Sequence, residues 1–154
     1  MEGNVLSVER IIPAPPEAIF ALVADAARHP EIDGSGTVVA AKSGNPEHLA
    51  MGSKFGMGMK QGFKYNMVST VIEFEQDRRI AWQSVPPGIP GKVVGGRIWR
   101  YVLEPVEGGT KVTESWDISQ DKQRSLLKLG GMPEKAKTSM EKTLARIEEL
   151  TTAP

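Results

Sequence analysis

Two side chains, Tyr101 and Glu114, have the chemistry for proton transfer in this chain. Residues 106–109 are typical of a four-residue hairpin loop, and a hairpin of that length pairs Tyr101 with Glu114. A carboxylic acid in an apolar cavity has its pKa raised, and a phenol can donate to a developing oxyanion. The pair would equip a dehydratase or cyclase. The alternative is structural, a Tyr–Glu hydrogen bond or a salt link from Glu114 to Arg97 or Lys137.

A second group of candidate residues is apolar and lies mostly on one face of the predicted strands. Methionine adapts its shape and aromatic faces stack, so such a face suits an apolar or aromatic small molecule. The alternative is that the same residues only pack a core. The predicted ligand-binding residues are Phe55, Met57, Met59, Tyr65, Met67, Trp82, Trp99, Trp116 and Met140.

No pattern in the chain predicts a metal or a cofactor. Cysteine is absent, and the two histidines, His29 and His48, have no metal-ligand spacing. We expect His29 to stabilise the end of the first helix and His48 to be solvated. The glycine-rich stretches lack the Lys-Ser/Thr of a phosphate loop, so phosphate binding is not expected either.

Periodicity predicts the elements that must position these residues. Alternation over 4–12 indicates a first strand, and prolines then open a helix that we expect to end at Arg28-His29-Pro30, before a further helical turn at 30–33. Strand signals separated by Gly- and Pro-bearing breaks predict an antiparallel meander at 37–43, 52–59, 63–75, 79–85, 95–105 and 110–120.

Loop lengths predict the register of these strands. A three-residue loop at 60–62 would place Phe55 opposite Met67 and Met57 opposite Tyr65. The break at 76–77 and the loop at 106–109 predict three further pairs, which are Val71 with Trp82, Ser69 with Ser84 and Trp99 with Trp116. The proline-rich connector 86–91 is predicted to join two strands at a rim.

An apolar sheet face of this size needs a cover. We expect Ser119 to cap a short helix near 121–129, and Pro133 to open a longer helix at 133–150 whose apolar stripe includes Met140. That helix would span about 27 Å, enough to cross the sheet. The order of elements predicts an α+β fold, with a curved seven-stranded antiparallel sheet around a long C-terminal helix and two short helices after the first strand.

Composition limits the classes of function. The chain has 154 residues, with 19 Lys plus Arg against 19 Asp plus Glu, so its formal net charge gives no field to gather nucleic acid. We expect one domain over 1–154, in the cytoplasm, as a monomer or weak homodimer. A secretory signal is not predicted, because residues 1–10 carry the acidic Glu2 and no apolar h-region. A membrane span is not predicted, because no apolar run approaches about 20 residues.

Three stretches resemble the START-related superfamily that includes polyketide cyclases and dehydrases, often called SRPBCC. They are the entry helix at 12–20, IPAPPEAIF, the mid-sheet strand at 79–82, RIAW, and the final hairpin at 103–113, LEPVEGGTKVT. Residues 140–150 are similar to the closing helix. The resemblance implies a helix-grip fold with a hydrophobic cavity.

Three functions stay open at this point. The first is binding of a hydrophobic or aromatic small molecule, lipid- or polyketide-like, between the sheet and the C-terminal helix. The second is a polyketide cyclase or dehydratase that uses Tyr101 and Glu114. The third is a protein-interaction module. The inward polar pair favours the enzyme, and we expect no third acid or histidine to join it, which favours the binder.

Overall fold

The elements follow the chain in the predicted order in a computed structural model, which describes residues 3–42, 44–87 and 95–152. The strands are β1 (Val5–Ile12), β2 (Val38–Ala41), β3 (Lys54–Gln61), β4 (Phe63–Glu75), β5 (Arg79–Val85), β6 (Arg97–Val106) and β7 (Gly109–Asp117). The helices are α1 (Pro16–Val23), α2 (His29–Ile32), α3 (Arg124–Leu127) and α4 (Met132–Thr152).

All seven strands form one antiparallel sheet in the order β1-β7-β6-β5-β4-β3-β2. The chain therefore runs as a meander from β2 to β7, and β1 then pairs with β7 at the far edge. Helix α4 packs on β1 and β7, as well as on α1 and α2. The predicted fold class, a helix-grip fold with a seven-stranded sheet and a long C-terminal helix, is confirmed.

The first helix ends earlier than the sequence predicts. Pro16 occupies the first turn of α1, and its buried face carries Ile19, Phe20, Leu22 and Val23. The helix stops at Val23 because Asp25 is extended and its carboxylate accepts a hydrogen bond from the Ala27 N–H at 3.0 Å. That cap opens a separate 3₁₀ turn, which leads directly into α2.

Strand register agrees with the sequence at two hairpins and differs at one. Trp99 pairs with Trp116, Val71 with Trp82, and Ser69 with Ser84, as predicted.

The hairpin between β3 and β4 is tighter than the predicted three-residue loop. Gln61 pairs directly with Phe63, and Gly62 turns the chain with φ 78°. Left-handed backbone at a glycine permits so short a turn. The register therefore moves by two residues, so that Met57 faces Met67 and Met59 faces Tyr65. Because side chains alternate with a period of two, this error leaves every side chain on its predicted face.

The segment before α4 also differs from its prediction. The short helix covers Arg124–Leu127 only, and Ser119 does not cap it. Instead Asp121 accepts a hydrogen bond from the Gln123 N–H at 2.8 Å, which turns the chain before the helix. Helix α4 begins at Met132, and its buried face carries Ala136, Met140, Thr143, Leu144 and Ile147. Of the predicted strand 37–43 and connector 86–91, residues 43 and 88–91 lie outside the described part of the chain.

The loop after α2 is held directly against α4. The Gly34 N–H donates to the Thr143 hydroxyl at 2.8 Å. A Cβ atom at position 34 would lie 2.6 Å from the backbone nitrogen of Thr143 and 2.6 Å from the Cβ of Lys142. Glycine is therefore required here by the close approach of two backbones. Through the described residues, no helix combines the length and apolar character that crossing a bilayer demands.

The outer face of the sheet carries a charged network rather than an apolar surface. Arg100 binds Glu73 at 2.7 Å and Asp117 at 3.3 Å, and so joins β4, β6 and β7. Hydrogen bonding to Arg100 holds the pKa of Glu73 below its usual value. Because Arg100 lies between Trp99 and Tyr101 on β6, the strand alternation sends those two aromatic side chains to the opposite, inner face.

Candidate functional site

A cavity of about 290 Å³ lies between the inner face of the sheet and α4. Strands β3 to β7 supply one wall, α4 supplies another, and the α2–β2 segment closes one side. The structure brings every predicted site residue to this one cavity. These are Phe55, Met57, Met59, Tyr65, Met67, Trp82, Trp99, Tyr101, Glu114, Trp116 and Met140.

Trp82 is the centre of the aromatic wall. Its ring centroid lies 5.6 Å from that of Phe55, edge to face at 78°, and 5.7 Å from that of Tyr101. The imidazole of His29 stacks on the Trp82 indole, with ring centroids 4.8 Å apart and 24° between the planes. Aromatic pairs at these separations favour tilted and edge-to-face geometry, so the wall is held in place by its own packing.

Tyr101 and Glu114 are direct cross-strand partners on β6 and β7, as the hairpin length predicts. They are 4% and 3% exposed, respectively. Burial raises the pKa of Glu114 well above its usual value, and the nearby Asp33 carboxylate adds to the effect, while the Tyr101 hydroxyl opposes it. Burial likewise raises the pKa of Tyr101, with Glu114 the next cause. Tyr101 therefore keeps its proton at neutral pH, and burial favours the protonated form of Glu114.

Among the described residues, neither Arg97 nor Lys137 forms the salt link to Glu114 that the structural alternative requires. Arg97 turns to the fully buried Asp121, with its Nε 3.5 Å from Oδ2, and Lys137 is exposed. Oε1 of Glu114 is buried and has no hydrogen-bond partner in that part of the chain. Burial without a cation favours the neutral form of this acid, because ionisation in an apolar site costs several kcal/mol.

His29 belongs to the cavity, which the sequence alone did not predict. Its Nε2 donates to the Val23 carbonyl at the end of α1, at 2.8 Å, so it does serve that helix end. The same ring is buried, lines the cavity and stacks on Trp82. Burial lowers the pKa of His29, against the opposing effects of the Val23 hydrogen bond and of Asp25 and Asp33. It stabilises the helix end as a neutral group.

Asp33 is the second polar group that sequence reasoning missed. Its carboxylate accepts hydrogen bonds from the backbone N–H groups of Ser35, at 3.2 Å, and Val38, at 3.0 Å, and it lines the cavity. The expectation that no further acid or histidine joins Tyr101 and Glu114 is therefore wrong. No spacing in the sequence signals either residue, because each reaches the cavity through the packing of α2 under the sheet.

A buried serine pair adds a further polar feature to the wall. The hydroxyls of Ser69 and Ser84 lie 2.8 Å apart and both residues line the cavity. The sequence carried a signal for this pair, since the predicted register placed the two serines opposite each other on the inner face. Within residues 3–42, 44–87 and 95–152, no three His, Cys, Asp or Glu side chains are grouped as a metal site would need.

Residues 5–151 match the family described as polyketide cyclase / dehydrase and lipid transport. The chain belongs to this family. Among curated proteins it is similar to the uncharacterized protein Rv0088 of Mycobacterium tuberculosis, with 38% identity over 111 residues, 69% of this chain and 44% of that protein. The chain thus spans less than half the length of the curated relatives it matches.

Two solved structures show the same fold. Protein CV1439 from Chromobacterium violaceum superposes with a TM-score of 0.72 at 17% identity, and covers 98% of this chain and 99% of its own. The polyketide_cyc-like protein Cgl2372 from Corynebacterium glutamicum has a TM-score of 0.61 at 26% identity, and covers 97% and 93%. The predicted membership of the START-related SRPBCC superfamily is confirmed, and with it a ligand-binding type of domain.

Proposed function

We propose that this domain binds an apolar or aromatic small molecule, lipid- or polyketide-like, in the cavity between the sheet and α4. One observation carries the proposal. Eleven residues chosen from strand periodicity, loop length and one helix stripe all line a single cavity of about 290 Å³. A closed core would place these side chains in mutual contact rather than around a space.

The chemistry of the wall supports an apolar occupant. Trp82, Trp99 and Trp116 present aromatic faces, and Met57, Met67 and Met140 are flexible enough to adapt to a ligand. Most of the surface of the wall is apolar, and Tyr101 and Glu114 are the predicted polar contacts. Ligand pockets in general combine apolar walls with a small number of polar groups that fix orientation.

The test is a screen of fatty acids, sterols, flavonoids and aromatic polyketides by tryptophan fluorescence and thermal shift. All three tryptophans of the chain line the cavity, so a bound ligand should change their emission. A ligand at 100 times its Kd should raise the free energy of unfolding by about 2.7 kcal/mol.

A matched pair of variants tests whether a hit binds in this cavity. Trp99→Ala should weaken the binding of a hit, measured by calorimetry, whereas Ile11→Ala, at an exposed position on β1, should leave it unchanged. Equal binding by both variants, or a screen without hits, would contradict the proposal.

A lyase or cyclase is the second candidate, and the state of Tyr101 and Glu114 favours it. Both line the cavity, and burial makes the Glu114 carboxylate more basic, so it could take the proton from the carbon next to a substrate carbonyl and return it to the leaving hydroxyl, which departs as water, while the Tyr101 hydroxyl donates to the developing oxyanion. Here Glu114→Gln would abolish turnover of a polyketide-like substrate while its binding persists. Turnover that survives in this variant excludes the mechanism.

A further inference from the structure

Oε1 of Glu114 is buried without a hydrogen-bond partner, and this limits which ligands fit the cavity. In the described residues, four buried polar side-chain atoms have no hydrogen-bond partner. They belong to Asn4, Arg97, Glu114 and Asp121. Those of Arg97 and Asp121 face each other at 3.5 Å, and Asn4 does not line the cavity. The Glu114 atom is therefore the orphan whose side chain lies in the cavity wall without an opposite charge. A buried polar group of this kind costs free energy until a partner satisfies it.

The groups around Glu114 determine which partner fits. Tyr101 lies opposite it and presents a second hydroxyl, and the Asp33 carboxylate opposes any additional negative charge. The described cations that line the cavity are Arg97, which faces Asp121, and Lys135, which is exposed on α4. A ligand carboxylate would thus enter a site with two neutral donors, a nearby acid and no unpaired buried cation.

We infer that the cavity selects an uncharged ligand, which seats one carbonyl or hydroxyl oxygen against the carboxylic acid of Glu114 and the hydroxyl of Tyr101, and that it discriminates against the carboxylate of the same skeleton. This inference rests on the proposed function, since it names the ligand class for that same site. The apolar body of the ligand lies along Trp82, Trp99 and Trp116. The neutral form of Glu114, which its burial without a cation favours, donates through its O–H, so a carbonyl oxygen of the ligand completes its hydrogen bonding.

The experiment compares matched ligands on two skeletons, a naphthalene and a linear chain of eleven carbons. Each skeleton is prepared as the methyl ketone, the ethyl hydrocarbon, the carboxylate and the aminomethyl cation. Binding to the full chain is measured at pH 7.5 by tryptophan fluorescence. We expect the ketone to bind about threefold to tenfold tighter than the hydrocarbon, which is the range of one net hydrogen bond. The carboxylate and the amine should bind more weakly than the ketone.

Two variants test the role of Glu114. Glu114→Gln keeps a neutral donor and should preserve the preference for the ketone. Glu114→Leu removes one of the two donors and should reduce the preference for the ketone, with hydrocarbon affinity retained, and a preference as strong as in wild type would overturn the inference. Exchange of a buried acid for an apolar side chain of similar volume is compatible with folding. Glu114→Gln allows ketone and hydrocarbon binding to be compared with the smallest change in the shape of the side chain.

The possible outcomes separate this inference from the proposed function. Binding of the hydrocarbons without a preference for the ketones overturns the inference and leaves the proposed function in place. Tighter binding of a carboxylate or an amine than of its ketone also overturns the inference alone. Absence of binding by all members of both skeletons overturns the two together.

Discussion

The imidazole of His29 lies stacked on the indole of Trp82, with ring centroids 4.8 Å apart and 24° between the planes. This contact joins α2 to the middle of the sheet, because Trp82 is on β5 and pairs with Val71 on one side and Trp99 on the other. The Nε2 atom of the same ring donates to the Val23 carbonyl. One neutral side chain thus ties the end of α1, the start of α2 and the cavity wall together.

Replacement of His29 should therefore destabilise the protein in a pH-dependent way. His29→Gln loses the stacking on Trp82 and should lower the free energy of unfolding by about 1–3 kcal/mol at pH 7.5. Burial lowers the pKa of His29 in the folded state. The unfolded chain then binds more protons below pH 6.5, so wild-type stability falls as the pH falls through that value. The difference between wild type and variant should shrink from pH 7.5 to pH 5.5.

Urea denaturation at several pH values measures this effect. His48→Gln is the control, because His48 is exposed and its replacement should change stability by less than about 0.5 kcal/mol. A loss of stability in His29→Gln that is the same at pH 5.5 and pH 7.5 would show that His29 does not titrate in the folded protein as described.

Glu114 should have the opposite influence on stability. Its pKa is raised in the folded state, so the folded protein retains a proton that the unfolded chain releases above pH 4.5. Its contribution is complete below that pH and is lost as the pH rises towards the folded pKa, by about 1.4 kcal/mol for each pH unit. Glu114→Gln removes this loss, and should be more stable than wild type by a margin that grows as the pH rises above 4.5 and levels off at the folded pKa.

The same denaturation series checks the prediction for Glu114. Glu107→Gln, in the exposed turn of the β6–β7 hairpin, should follow wild type at every pH. If Glu114→Gln follows wild type as well, the carboxyl is ionised in the folded state and has a partner that satisfies it.

Gly34 should tolerate no side chain. A Cβ atom there would meet the Thr143 backbone nitrogen and the Lys142 Cβ at 2.6 Å, and it would displace the hydrogen bond from Gly34 to the Thr143 hydroxyl. Gly34→Ala should lower the free energy of unfolding by about 1–3 kcal/mol through this overpacking. Gly131→Ala is the control, because nothing lies within 4 Å of the added atom. Equal thermal midpoints for the two variants would contradict the close approach of the loop and α4.

The sequence by itself determined the sheet and the face of each side chain. Strand alternation has a period of two, so the inner positions of Trp82, Trp99 and Trp116 were predictable without any knowledge of the cover. For the same reason, the two-residue error in the predicted register of β3 and β4 left every side chain on its predicted face. The resemblance at the entry helix and the final hairpin predicted the superfamily, which the match over residues 5–151 confirms.

Only the tertiary structure decided the electrostatic state of the cavity. Whether Glu114 has a partner depends on where Arg97 points, and Arg97 lies beside Asp121, a contact between distant parts of the chain that no local pattern encodes. His29 and Asp33 reach the cavity because α2 folds under the sheet. Periodicity is a local property of the chain, whereas burial and the pairing of charges arise when separate elements meet, and for that reason the sequence predicted the wall but not its charge.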